Sequence, residues 1–255
     1  LNSMDPKMAA LYAIEYPNDV IGFKVANYLG QEGDPMIRIV EAAEMANLPI
    51  MVDFFDNGNE MSLEEALLEV MRPGDILTHC YANFGQREPI VDETLRQVKP
   101  FVRAARDRGI KFDVGHGFES FEWAQVITAI AQDFPPDSIS TDLWGGNING
   151  AMKDFTNVIS KLLAAGLELP QAIEMSTWNP AQLINRPNLG HLDIGAEADI
   201  ALFSIHNAAI DNPFRFVDTR NERINGFTRI ETELTILAGK VVWDRNGFAS
   251  EPFIF

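Results

Sequence analysis

A strand-like run followed by a helical pattern recurs five times along the chain. The runs are short, apolar or β-branched, and each has a polar residue at or next to its end; they are 20–25, 49–53, 75–79, 110–114 and 138–142. These polar residues follow one another at intervals of 26 to 34 residues, close to the length of one βα unit. Strands that alternate with helices in this way predict parallel strands joined by crossover helices, and therefore an α/β fold.

Five successive βα units with short strands favour a TIM-like (β/α) barrel, although spacing alone leaves an open sheet as the alternative. A complete barrel has eight units, so we expect the other three to lie N-terminal to this chain. After residue 188 short strands and turns dominate. The predicted domains are a partial barrel at 1–188 and a small β-sandwich-like domain at 189–255. The predicted helices are 34–47, 62–71, 91–108, 121–132, 151–165 and 169–184.

The composition narrows the class of partner. The 255 residues include 20 Lys and Arg against 37 Asp and Glu, a net charge of −17, and such a surface repels nucleic acid. No apolar run reaches the ~18 residues of a membrane span, so no membrane partner is expected. The one cysteine, Cys80, excludes an internal disulfide and fits a cytoplasmic protein.

Ionisable side chains stand at the ends of all five predicted strands, where the chemistry of parallel α/β barrels is found. They are Lys24, Asp53, His79, Asp113 (followed by His116) and Asp142. Carboxylates and imidazoles at one face suit a divalent cation of the zinc class. A lysine among them is reasonable if its neutral amine carries CO2 as a carbamate, which is an anionic oxygen ligand.

Each of these residues also has a simpler interpretation. Lys24 could pair with Asp53 or Asp142, or form a Schiff base with a carbonyl substrate. His79 could be a structural hydrogen-bonding residue, and Asp142 could cap the following loop. The glycines beside His116 suit either a tight turn or a close approach to a ligand. Trp144 could line a pocket or cover the barrel rim.

Five short motifs resemble the amidohydrolase superfamily, and within it the dihydroorotase-like amidohydrolase and deacetylase metallohydrolases. They fall in order at the strand ends and are Gly22-Phe23-Lys24-Val25, Met51-Val52-Asp53, Gly74-Asp75-Ile76-Leu77-Thr78-His79-Cys80, Phe112-Asp113-Val114-Gly115-His116-Gly117 and Ser140-Thr141-Asp142-Leu143. Asn179-Pro180-Ala181 and the stretch from Gly190 to Leu202 are similar to the superfamily's tail.

The resemblance implies a distorted (β/α) barrel whose site holds one or two Zn²⁺ and hydrolyses amide or cyclic amide bonds. Lys24 matches the carboxylated lysine that bridges two metals, and His79 matches a ligand of the more exposed metal. Asp142 matches an aspartate that binds the buried metal and acts as general base and acid. His116 lies near the substrate side, and we assign it and Trp144 to substrate binding.

Two departures from the family pattern affect the metal site. The chain contains no His-x-His pair, which in the family holds the buried metal. In many relatives the fifth strand ends in histidine where this chain has Asp53, which is itself able to ligate zinc. We therefore expect this stretch alone to bind metal weakly and to have little or no activity.

The sequence thus predicts a metal-dependent hydrolase of small-molecule amides, an N-acyl deacetylase or a dihydroorotase-like enzyme. The alternatives are a Schiff-base lyase or aldolase that uses Lys24, and an inactive incomplete barrel that serves as a binding module. An unpaired strand edge near Val20 would favour a homo-oligomer or aggregation.

Overall fold

The computed structural model describes residues 4–26, 34–54, 61–85, 87–247 and 249. Helices and short strands alternate through the first two thirds of the chain, and longer strands follow. In chain order the elements are α1 (Pro6–Glu15), β1 (Phe23–Val25), α2 (Asp34–Ala46), β2 (Ile50–Val52), α3 (Leu63–Glu65) with a π-helical turn (Ala66–Val70), β3 (Ile76–Leu77), β4 (Val91–Asp92), β5 (Gln97–Val98), α4 (Pro100–Asp107), β6 (Lys111–Phe112), α5 (Trp123–Ala131), α6 (Phe155–Ala164), α7 (Leu169–Glu174), α8 (Trp178–Leu183), β7 (Ile200–Asn207), β8 (Phe214–Val217), β9 (Arg223–Gly226), β10 (Thr228–Leu237) and β11 (Lys240–Asp244).

A parallel sheet with the strand order β1-β2-β3-β6 forms the centre of the fold. One parallel bridge between Asp113 and Ser138 adds a fifth segment beside β6. The five predicted strand segments therefore lie side by side in sequence order, as the βα repeat predicts. Within the described residues this sheet stays open and does not close into a ring.

The sheet strands are apolar because helices and loops cover them. Ile50, Val52, Leu77 and Phe112 are each less than 5% exposed, as is usual for strands of parallel sheets. The helices bury apolar residues in the same core as these strands, and the buried residues include Ile39 and Ala43 of α2, Val102 and Ala105 of α4, Val126 and Ala129 of α5, and Val158, Ile159 and Leu162 of α6. Helix α2 contacts β1 and β2 of the sheet.

The helix predicted over 91–108 is wrong in its first half. Residues 91–98 form a two-stranded hairpin, β4–β5, and helix α4 begins only at Pro100. The Asp92 side chain accepts hydrogen bonds from the backbone N–H groups of Thr94 and Leu95, which closes the hairpin turn. Proline is favoured in the first turn of a helix, so Pro100 sets where α4 starts.

Two further elements differ from prediction. The helix predicted over 169–184 is broken between α7 and α8, where Thr177 leaves the helical region with φ −134° and ψ −81°. The strand predicted at 138–142 is reduced to the bridge at Ser138. Ser140 and Thr141 still accept backbone hydrogen bonds from His116 and Gly117. The backbone leaves the strand conformation at Asp142, which has a φ of +49°.

The C-terminal strands form an antiparallel sheet, with the order β11-β10-β7, and a separate hairpin, β8–β9. Helix α6 packs against them: the Ile230 N–H donates to Ser160 Oγ at 2.9 Å, and Phe216 and Ile230 belong to the main core. The hairpin turn at 218–222 also reaches the loop at 121–123, where the Trp123 N–H donates to Asp218 Oδ2 at 3.0 Å. The domain boundary at 188/189 stays a prediction.

Within the described ranges, no helix has the length and apolar character that a membrane span requires.

Candidate functional site

The site is built around Gly115, His116 and Gly117, which we call the 115–117 turn. This turn runs beside residues 138–141: the His116 N–H donates to Ser140 O at 3.2 Å, and the Gly117 N–H donates to Thr141 O at 3.0 Å. Both glycines have positive φ angles, 46° and 53°. The turn thereby lies between the ends of two predicted strands, close to both His79 and Asp142.

His79 follows β3 directly and is 7% exposed. Its backbone has a φ of +56°, an uncommon conformation for a bulky residue and one that concentrates at functional sites. Its Nδ1–H donates to Gly115 O at 2.5 Å. That hydrogen bond leaves the Nε2 lone pair available, which is the usual arrangement of a metal-binding histidine.

Asp53 is buried directly after β2 and is paired with Arg87. The guanidinium donates from Nε to Oδ1 and from Nη2 to Oδ2, both at 3.0 Å. Such a two-pronged pair is strong and fixes the carboxylate in one orientation. No sequence pattern pointed to Arg87, because it lies in a loop and meets Asp53 only through the tertiary fold.

His79 and Asp53 face each other, with Nε2 3.5 Å from Asp53 Oδ2. Burial lowers the pKa of His79 from its ordinary value, and the negative charge of Asp53 opposes that shift. A neutral His79 with its proton on Nδ1 places two hydrogen-bond acceptors opposite each other. A cation between them would satisfy both, so this donor pair fits a metal of the zinc class.

Asp142 lies on the exposed side of the 115–117 turn. A methyl group built on Gly117 would lie 2.9 Å from Asp142 Oδ2 and 3.6 Å from His79 Cε1. The two side chains therefore converge on the same glycine from the two neighbouring strand ends. Asn147 fixes the backbone of this segment, since its Nδ2 donates to Asp142 O at 2.7 Å.

Trp144 is held just beyond Asp142. Its backbone N–H donates to Asn147 Oδ1 at 3.0 Å, and its ring lies against Gly146. The indole is 58% exposed, so the structure places an open aromatic surface next to the catalytic candidate. Its assignment to substrate binding stays a prediction.

Asp113 and His116 are both fully enclosed by protein. The Asp113 carboxylate accepts from the hydroxyls of Thr78, Ser138 and Ser140 at 2.8, 2.6 and 2.7 Å. His116 has 0% exposure and hydrogen bonds at both ring nitrogens, to Gly117 O and to Lys161 Nζ. His116 thus lies beneath the turn, and its predicted substrate contact stays a prediction.

Lys24 is the one predicted ligand that the structure does not bring to the others. It is the exposed middle residue of β1, opposite Met51, and lines a groove of about 460 Å³ with α1 and α2. Within the described residues no ion pair joins Lys24 to Asp53 or Asp142. Its assignment as a carboxylated ligand stays a prediction.

The metal-ligand chemistry is therefore present in pairs and not as a complete set. In the part of the chain that the structure describes, no group of three or more His, Cys, Asp or Glu side chains is close enough to hold a metal. His79 Nε2 and Asp142 are available, while Asp53 shares both oxygens with Arg87. A carboxylate oxygen has a second lone pair, so Asp53 keeps the capacity for a single metal bond.

Comparison with known proteins shows which family the chain is similar to. Residues 119–242 match the family model described as "Amidohydrolase family", a segment that runs from just after the 115–117 turn into the last C-terminal strand. A deacetylase of Enterococcus faecalis is 32% identical over 197 residues, which are 75% of this chain and 52% of the relative. The chain spans about half the length of the curated relatives it matches.

Two crystal structures share the fold over almost the whole chain. An adenine deaminase superposes with a TM-score of 0.83 at 26% identity, covering 94% of this chain and 64% of that one. A dihydroorotase superposes with a TM-score of 0.80 at 28% identity, covering 93% and 62%. The predicted barrel fold of the metal-dependent hydrolase type is confirmed by this agreement.

Proposed function

Since this chain belongs to the amidohydrolase superfamily, we propose that its protein is a metal-dependent hydrolase of amide or cyclic amide C–N bonds. The observation that carries the proposal is the convergence of His79 and Asp142 on Gly117. The His79 Nδ1–H is held by Gly115 O and its Nε2 faces Asp53. Superfamily members generally use metal ions, and for this site we propose one or two Zn²⁺.

The proposed ligands are His79 Nε2, Asp142 and one oxygen of Asp53, which the described residues bring together only in pairs, with Lys24 as a further proposed ligand in carboxylated form. When bound, such a metal lowers the pKa of water and polarises the scissile carbonyl. Asp142 would accept the proton of the attacking water on its carboxylate and deliver it to the leaving nitrogen. Its exposed position beside Gly117 gives it access to both groups.

We assign the substrate to small N-acyl compounds, with dihydroorotate-like cyclic amides as the second class. The similarity to the Enterococcus faecalis deacetylase supports the first class. Trp144 would contact the acyl or leaving group, because its exposed ring lies two residues from Asp142. The single buried cysteine supports a cytoplasmic site of action, and the β1 edge supports a homo-oligomer.

A zinc titration against a chromophoric chelator tests the metal site directly. We expect this chain to bind zinc with a Kd above about 1 µM. His79→Gln and Asp142→Asn should each weaken binding at least about tenfold, since even the loss of an indirect partner has that effect. His206→Gln is the matched control, because His206 is an exposed histidine of β7 away from the site. Equal affinity in His79→Gln and wild type would contradict the proposal.

Turnover separates the proposed reaction from its alternatives. With zinc present, the whole protein should release acetate from N-acetyl amino acids, and Asp142→Asn should abolish that release. Borohydride treatment with a carbonyl substrate should leave no adduct on Lys24. A stable adduct would favour the Schiff-base lyase, and zinc binding without any hydrolysis would favour the binding module.

A further inference from the structure

Lys161 is a buried lysine that the reaction does not use. It lies on α6, is 1% exposed, and donates from Nζ to His116 Nε2 at 2.8 Å and to Ala151 O at 2.6 Å. Its Nζ is also 5.2 Å from the centre of the Phe121 ring. No carboxylate of the described residues lies within ion-pair distance of its Nζ; the charge of Asp218 acts on Lys161 from further away and only opposes the larger effect of burial on its pKa. Burial of an amine without a carboxylate in contact is unfavourable, so a specific role is needed to explain it.

The partner of Lys161 is an imidazole whose tautomer is defined by its contacts. The His116 Nδ1–H donates to Gly117 O at 3.0 Å, so Nε2 must act as the acceptor. Lys161 supplies the donor for that nitrogen, and Phe121 stacks on the ring at 4.5 Å and 11°. Burial and the nearby Lys161 charge lower the pKa of His116 to about 3, and burial lowers the pKa of Lys161 to about 7.

The 115–117 turn connects this pair to the site. Gly115 O accepts the hydrogen bond that fixes the His79 tautomer, and Gly117 lies against Asp142. A displacement of His116 would move both ends of a three-residue turn. Lys161, His116 and the turn therefore form one continuous chain of contacts from α6 to the two strand ends.

We propose that Lys161 is a positioning residue, which holds His116 as its Nδ1–H tautomer and through the 115–117 turn orients His79 and Asp142. Its importance for hydrolysis rests on the proposed function, but its effect on the two imidazoles does not. Lys161 touches neither His79 nor Asp142. It acts only through His116 and the backbone of the turn.

Nitrogen-15 NMR of the histidine rings tests this without any enzyme assay. The chain has only four histidines, so each ring is assigned by one His→Gln variant. In the wild type, His116 should show a protonated Nδ1 and an unprotonated, hydrogen-bonded Nε2 between pH 6 and 8. In Lys161→Met that pattern should be lost at His116, and the Nδ1–H signature of His79 should weaken or disappear with it.

The controls separate positioning from simple packing. Ser160→Ala changes the neighbouring, equally buried residue of α6, whose hydroxyl accepts from the Ile230 N–H. It should lower stability while both histidine patterns remain. A wild-type His116 with a protonated Nε2 overturns the proposal, even if Lys161→Met fails to fold. A folded Lys161→Met with unchanged His79 and His116 signals overturns it as well.

Because no metal or substrate enters this experiment, its outcome is independent of the proposed function. Loss of the histidine patterns in a protein that hydrolyses no amide would support the positioning role and contradict the hydrolase. Unchanged histidine patterns in Lys161→Met of an active hydrolase would support the hydrolase and contradict the positioning role.

Discussion

Replacement of Gly115 by alanine should be among the most damaging single changes near the site. The residue has a φ of +46°, and an added Cβ would lie 2.3 Å from Thr78 Oγ1 and 2.8 Å from His79 Nδ1. The left-handed backbone costs an L-residue about 1–2 kcal/mol, and overpacking costs about 1–3 kcal/mol more. We therefore expect the free energy of unfolding, measured by urea denaturation, to fall by about 2–5 kcal/mol.

Two other glycines provide matched controls for this change. Gly85 also has a positive φ, +64°, but nothing lies within 4 Å of its added Cβ. Gly85→Ala should therefore lower the free energy of unfolding only by the cost of the left-handed backbone, about 1–2 kcal/mol. Gly145 has an ordinary φ and open space, so Gly145→Ala should be close to neutral. If Gly115→Ala and Gly85→Ala differ by less than about 0.5 kcal/mol, the close packing of the turn against His79 is refuted.

Three more outcomes follow from the site. Arg87→Met leaves the buried Asp53 carboxylate unpaired and should lower the free energy of unfolding by roughly 3–5 kcal/mol; a loss below ~1 kcal/mol would show that the pair is weak. His116, with its folded pKa of about 3 against 6.5 unfolded, stabilises the fold above pH 6.5, and up to roughly 5 kcal/mol should be lost as the pH falls to 3. An equally steep acid profile in His116→Gln would contradict this. Trp144→Ala should change stability by less than about 0.5 kcal/mol yet raise the KM of the whole enzyme with kcat retained; an unchanged KM would remove Trp144 from the substrate site.

The strand order was predictable because each βα unit carries its own signal. A short apolar run and a helical period are local patterns, and neighbouring units pair in sequence order. The β4–β5 hairpin was missed because strands of two residues have no period to detect. Its one local signal was Asp92, whose side chain closes the turn.

The placement of candidate residues at neighbouring strand ends was predictable for the same reason. His79 and Asp142 each end a short apolar or β-branched run, and parallel strands bring such ends together. Arg87 and Lys161 have no such signal, since only tertiary contacts give them their partners. Lys161 lies in α6, which also packs against the C-terminal strands β9 and β10. Residues 156, 158–160 and 162 of this helix are therefore buried as well, and the burial pattern of α6 does not single out Lys161.

The contacts between the 218–222 turn and the 121–123 loop also set an order of events in time. Trp123 finds its hydrogen-bond acceptors at Asp218 and Glu222, 95 and 99 residues further along the chain. A ribosome adding about 5–20 residues per second needs ~5–20 s to produce that interval. During synthesis the loop that follows the 115–117 turn therefore waits, without its final partners, until the hairpin emerges. The loop beside the site therefore gains these two hydrogen bonds only after the C-terminal hairpin has been synthesised.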